Sequence, residues 1–171
     1  MGKWREAFQH GRPSPLDVEF GFEYSFGPPA SEEQLDRAEA ELGLRLPREV
    51  RELLSEFNGV WVSSEESRSH ADDPDVASDP DIAYLDVEHM AVHVPRYFRT
   101  CGNPLPPESD LRKVVFFYQE NGFADLYGVC AEDVAGFRTG EVVKLDHELG
   151  ELETAFPTLL DFVRLGCRDW D

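Results

Sequence analysis

With 171 residues, 41% of them hydrophobic and 12% aromatic, the chain is long enough for one domain and apolar enough to bury roughly 70% of its unfolded surface. Lys and Arg number 16 against 35 Asp and Glu, a net charge of −19; such a charge repels phosphate backbones and anionic lipid, so nucleic acid and membrane surfaces are not expected as direct ligands. The same charge serves solubility or attracts a basic partner, and composition alone leaves both open.

Cys101, Cys130 and Cys167 are odd in number and widely spaced, without a CxxC pair or other metal-ligand spacing, as expected of a reducing cytosol. The start Met1-Gly2-Lys3-Trp4-Arg5-Glu6 lacks an apolar signal core, and no run approaches the roughly 20 apolar residues that span a bilayer. A cytoplasmic protein is the expectation.

Residues 1–27 mix aromatic residues with Gly and Pro and read as an irregular N-terminal arm lying on the domain. Ser31 then opens a helix, with Gln34 three residues later completing a capping box. Leu35, Ala38 and Leu42 recur at helical spacing and Gly43 ends the helix. Pro47 suits the start of a second helix, with Val50, Leu53, Leu54 and Phe57 on one stripe, closed by Asn58-Gly59. Val60-Trp61-Val62 reads as a short extended run.

Residues 63–81 hold seven carboxylates, one Arg and very few apolar side chains, so they have little to bury and read as an acidic loop. Over residues 63–90, nine acidic residues against Arg68 place −8 of the total −19 within 28 positions. The candidate partner-binding residues are therefore Glu65, Glu66, Asp72, Asp73, Asp75, Asp79 and Asp81.

Ile82–Leu85 reads as a strand, and Asp86 as the cap of a helix carrying Val87, Met90, Ala91 and Val94 on one face. The prolines, Gly102 and Asn103 of 99–112 mark a surface connection. Val114–Tyr118 and Ala124–Cys130 form a hairpin about Asn121-Gly122, and Glu141–Asp146 is a further strand left through Glu148-Leu149-Gly150. A closing helix is expected to carry Phe156, Leu159, Leu160 and Val163 on one stripe, with Pro157 in its first turn.

Catalytic and metal chemistry finds little support. His89 and His93 have a spacing that could place two imidazoles on one metal, but the Glu of HExxH and a third ligand are missing. Asp146-His147-Glu148 offers an acid and a base, yet neighbours on a strand alternate faces, and a turn is the better reading. No GxSxG, GxxxxGK[ST] or GxGxxG pattern follows a strand. No cofactor is implied.

The run Pro28-Pro29-Ala30-Ser31-Glu32-Glu33-Gln34-Leu35, then Ala38-Glu39, Leu42-Gly43-Leu44-Arg45-Leu46-Pro47 and Phe57-Asn58-Gly59, resembles the opening of the SUKH superfamily of Smi/Knr-type domains. The hairpin and final helix of residues 114–164 are similar to the superfamily's second half. The resemblance implies an α+β fold in which an N-terminal helical pair packs beside a largely antiparallel sheet closed by a C-terminal helix, making residues 28–171 a single domain. It also implies a non-enzymatic binding protein: bacterial members are chiefly immunity proteins that neutralise a nuclease or deaminase toxin, and fungal relatives look like regulatory hubs. The signature residues Leu42, Gly43, Leu46, Pro47, Asn58 and Gly59 are cap and core positions by their chemistry. The chain departs from the pattern in three places: Ala155 stands where a helix-capping Ser is common, residues 63–81 look inserted, and 1–27 match nothing recognisable.

Overall fold

The computed structural model describes residues 2–10, 23–63, 82–84, 86–90, 105–119, 125–146 and 148–165. Their elements in chain order are α1 (Lys3–His10), β1 (Glu23–Phe26), α2 (Glu32–Leu42), α3 (Arg48–Glu56), β2 (Val60–Ser63), β3 (Ile82–Tyr84), α4 (Val87–Met90), α5 (Glu108–Leu111), β4 (Val114–Gln119), β5 (Leu126–Cys130), β6 (Val142–Leu145), β7 (Leu152–Phe156) and α6 (Leu159–Leu165). The strands form one seven-stranded sheet in the order β1 to β7. Every neighbouring pair is antiparallel.

The helical pair forms for the reasons its sequence suggests. Gln34 donates its backbone N–H to Ser31 Oγ at 3.2 Å, and the Ser31 N–H donates to Gln34 Oε1 at 2.9 Å, a reciprocal capping box. Gly43 ends α2 with φ +72°, a left-handed conformation that a side chain would strain. Pro47 sits immediately before α3, whose Val50, Leu53 and Leu54 are buried. Phe57, expected as the last member of that stripe, is instead the extended cap residue (φ −161°, ψ 141°), still fully buried.

The sheet is covered on both faces near its centre because β4 alternates: Val115 and Phe117 enter one core, Val114 and Phe116 the other. The larger core joins the sheet to the helices through Leu35, Leu54, Phe57, Val129 and Phe162. A register shift between Phe116 and Tyr118 turns Tyr118 onto this helix-covered side as well. The smaller core comprises Leu126, Cys130, Val143 and Leu145 from the sheet, covered by Leu111 of α5 and Val134. This is the expected α+β architecture, with α6 packed on the sheet.

Several expectations change at the edges. Residues 1–27 do not behave as an irregular arm where the structure describes them: 3–10 form α1 and 23–26 form β1. Trp4, Ala7 and Phe8 stand at helical spacing and bury in the main core, and Phe8 meets Phe57 at 5.6 Å between ring centroids, which makes α1 a core helix. Phe156 and Ala155 lie on β7, so the closing helix starts later than its apolar spacing suggests. Thr158 does the capping expected near Ala155: the Asp161 N–H donates to Thr158 Oγ1 at 3.1 Å. The connection expected over 99–112 contains the single turn α5, anchored by buried Leu111.

Candidate partner-binding surface

The carboxylates Glu65, Glu66, Asp72, Asp73, Asp75, Asp79 and Asp81 lie outside the described residues, but the strands that flank them are placed. Val62 of β2 pairs with Ile82 of β3, so both ends of the acidic segment are held side by side at one end of the sheet. Because all seven strands alternate in direction, the same end carries the β4–β5 connection and the β6–β7 turn.

That turn is strongly defined. Asp146 Oδ1 accepts from the N–H groups of Glu148 (2.8 Å) and Leu149 (2.7 Å), while the Gly150 N–H donates to the Asp146 carbonyl at 2.9 Å. Asp146 is thus a turn residue, as expected; His147 lies outside the described residues. Beside the turn, Lys144 Nζ stands 3.2 Å from Glu153, 3.5 Å from Asp125 and 3.7 Å from Asp146. Burial alone would lower the Lys144 pKa, but the hydrogen bond to Glu153 and the three negative charges outweigh it and raise it. Lys144 remains cationic and ties the start of β5 and β7 to β6.

The signature positions are architectural. Leu42 and Leu46 are buried. The Leu46 N–H donates to Glu39 Oε1 at 3.1 Å, and Glu39 also accepts from Arg45 (2.7 Å) and Arg51 (3.0 Å). Hydrogen bonds to Asp36 and then Glu32 raise the Arg51 pKa further above its usual range, against the effect of burial. Asn58 ties three segments: its N–H donates to the Pro28 carbonyl at 2.9 Å and its Oδ1 accepts from the Val87 N–H at 2.7 Å, at the start of α4. Gly59 has φ +89°, with the Trp61 ring packed where a Cβ would stand.

Two carboxylates of α3 tie down the starts of α1 and α6, a role that their polar surface spacing did not reveal. Glu56 accepts from the N–H groups of Trp4 (3.0 Å) and Arg5 (2.8 Å) at the start of α1. Glu49 accepts from Leu159 (3.0 Å) and Leu160 (3.4 Å) at the start of α6. Each places negative charge at the positive end of a helix and satisfies donors that the helix leaves unpaired.

A depression of about 730 Å³ between α1 and α3 contains Lys3, Arg48 and Arg51. All three are ion-paired, Lys3 and Arg48 with Glu52 and Arg51 with Glu32, Asp36 and Glu39. Cys130 is buried in the smaller core, and burial, aided by the charges of Glu141 and Asp133, pushes its pKa up to about 11. Among the described residues no group of His, Cys, Asp and Glu is placed to hold a metal. His93 lies outside them, as does the His89 side chain. No helix among the described residues is long and apolar enough to cross a membrane.

The capped helical pair, the Asn58-Gly59 hinge and the antiparallel sheet closed by α6 reproduce the pattern to which the signature residues pointed, and the model of the SMI1 / KNR4 family (SUKH-1) matches residues 29–165. The chain belongs to this family. No curated protein matches it. The SUKH-1 match begins after α1 and β1, so those two elements lie outside the matched span although α1 contributes to the main core.

Proposed function

We propose that this SUKH-1 protein is an immunity protein: a non-enzymatic, cytoplasmic binding protein that occludes a cognate bacterial toxin of the nuclease or deaminase class. The carrying observation is the family match over residues 29–165, since bacterial members of the superfamily are chiefly immunity proteins. The net charge of −19 suits a partner whose active face is basic, as a nuclease face that binds phosphate must be. The ion-paired depression between α1 and α3 fits a binding surface better than a catalytic cleft, which would need a perturbed acid or base open to substrate.

The test is co-expression with any toxin domain found to be encoded beside this gene. The expected result is rescued growth and a stoichiometric complex of purified components that abolishes toxin activity. An absence of both, with the protein recovered instead among cellular signalling proteins, would replace this reading with that of a regulatory scaffold.

A further inference from the structure

The last strand of the sheet has an open side. β7 pairs with β6 through Leu145↔Leu152, Lys144↔Glu153 and Val143↔Thr154, and among the described residues no strand lies on its other side. The Asp146 N–H donates to the Glu151 carbonyl at 3.0 Å, which sets the phase of the ladder. Glu151 and Glu153 therefore direct their main-chain groups at β6, and Leu152 and Thr154 direct theirs outward. Of the two residues whose groups point outward, Thr154 is exposed and Leu152 half-buried.

Two further features define what this edge accepts. Leu149, at the tip of the β6–β7 turn, is 58% exposed, the most exposed large hydrophobic residue among those described. Its backbone is fixed by the Asp146 hydrogen bonds, so burying it against a partner costs little ordering entropy. The flanking Glu148 and Glu151 make the edge acidic, while Glu153 is ion-paired with Lys144 at 3.2 Å. A second copy of the chain pairing antiparallel here would set these carboxylates against their own kind, which destabilises cross-strand pairs, whereas a strand bearing Lys or Arg would be favoured.

We infer that the outer edge of β7 with Leu149 is a strand-docking site for an extended basic segment of the partner protein, which adds an eighth strand to the sheet. This rests on the immunity reading and assigns its binding face. Main-chain bonds from Leu152 and Thr154 hold the added strand, Glu151 selects its charge, and Leu149 anchors its end in an apolar recess of the partner. The acidic segment between β2 and β3 is anchored at the same end of the sheet as Leu149, four strands from β7.

Amide hydrogen exchange on the unmodified chain, alone and with the toxin domain that the co-expression test identifies as its partner, tests the site without any substitution. The amides of Leu152 and Thr154 are expected to exchange rapidly in the free chain and to slow at least about 10-fold in the complex. Thr154→Pro, which removes an outward donor at an edge, and Leu149→Ser should each raise the dissociation rate roughly 10-fold or more with little effect on association. The Leu149 variant keeps the test alive if the proline disturbs folding. A complex that forms with exchange at 152 and 154 unchanged overturns the site and leaves the immunity reading intact. Failure of the unmodified chain to bind the toxin at all defeats that reading, and this occupant with it. Protection of the same amides in the free chain, together with dimerisation, would assign the edge to a second copy instead.

Discussion

Glu39 shows how a charged residue can be part of a core. It is only 8% exposed, and its carboxylate accepts from Arg45, Arg51 and the Leu46 backbone N–H. Glu39→Ala should therefore cost about 2 kcal/mol in a denaturant titration, because it strands those donors. Arg45→Ala should cost less than about 1 kcal/mol, since the Arg45 side chain is 88% exposed. Cys130 supplies a pH dependence whose sign is fixed by its raised pKa of about 11. An unfolded thiol titrates near 8.5, so between about pH 8.5 and 11 the folded state holds a proton that the unfolded state releases. Stability must then fall as pH rises through that window, and be unaffected by this group below it. Denaturation midpoints measured from pH 7 to 10 should show the decline, and Cys130→Ala should flatten it; an unchanged slope in the variant would place the titrating group elsewhere.

Elements with a strong local signal were legible, and those that depend on distant partners were not. The capping box at Ser31, the stripe Val50, Leu53, Leu54 and the run Val114–Tyr118 each state their conformation within a few residues, and the structure agrees. β7 failed because Leu152-Glu153-Thr154-Ala155-Phe156 has almost no alternation of polarity. Phe156, Leu159, Leu160 and Val163 also happen to lie at helical spacing across the Pro157 break, so the helical period was read through a strand end. α1 carried its signal in Trp4, Ala7 and Phe8, but eight residues make a weak helix alone. Its stability comes from α3, which supplies Glu56 to its first turn, and from the aromatic core around Phe57. This makes a direct prediction: Trp4→Ala should lower stability by about 3–5 kcal/mol, comparable to the roughly 2–5 kcal/mol expected for Leu53→Ala beneath α3. A thermal melt of each variant decides it, and a Trp4 variant that melts with the wild type would return the N-terminal segment to the role of a loose arm. The partner-binding carboxylates were legible only as composition: no periodicity tells where such residues stand, and only the pairing of β2 with β3 places their ends.

For the whole molecule, the proposed immunity role would have charge and shape assign different parts of binding to different surfaces. Exposed carboxylates far from a contact act mainly on the rate of encounter, because their field reaches over a Debye length of about 8 Å at physiological salt, while close contacts govern dissociation. The segment holding Glu65, Glu66, Asp72, Asp73 and Asp75 is concentrated in sequence, and the strands that flank it end where the β6–β7 turn also stands. Replacing those five residues with their neutral amides should lower the association rate with the toxin about 10-fold or more and leave dissociation nearly unchanged, and the effect should shrink as salt is raised. The control is an equal loss of charge away from that end, at Glu6, Glu33, Glu41, Glu108 and Glu132, all exposed on other elements or connections. If net charge alone attracts the partner, the two five-residue variants will associate at the same reduced rate. If the field is directed, surface-binding kinetics at low salt will show the segment variant slower than the control, with the two converging near 1 M salt, where screening falls to about 3 Å. Equal rates at every ionic strength would reject the acidic segment as the steering surface and leave its carboxylates a role in solubility.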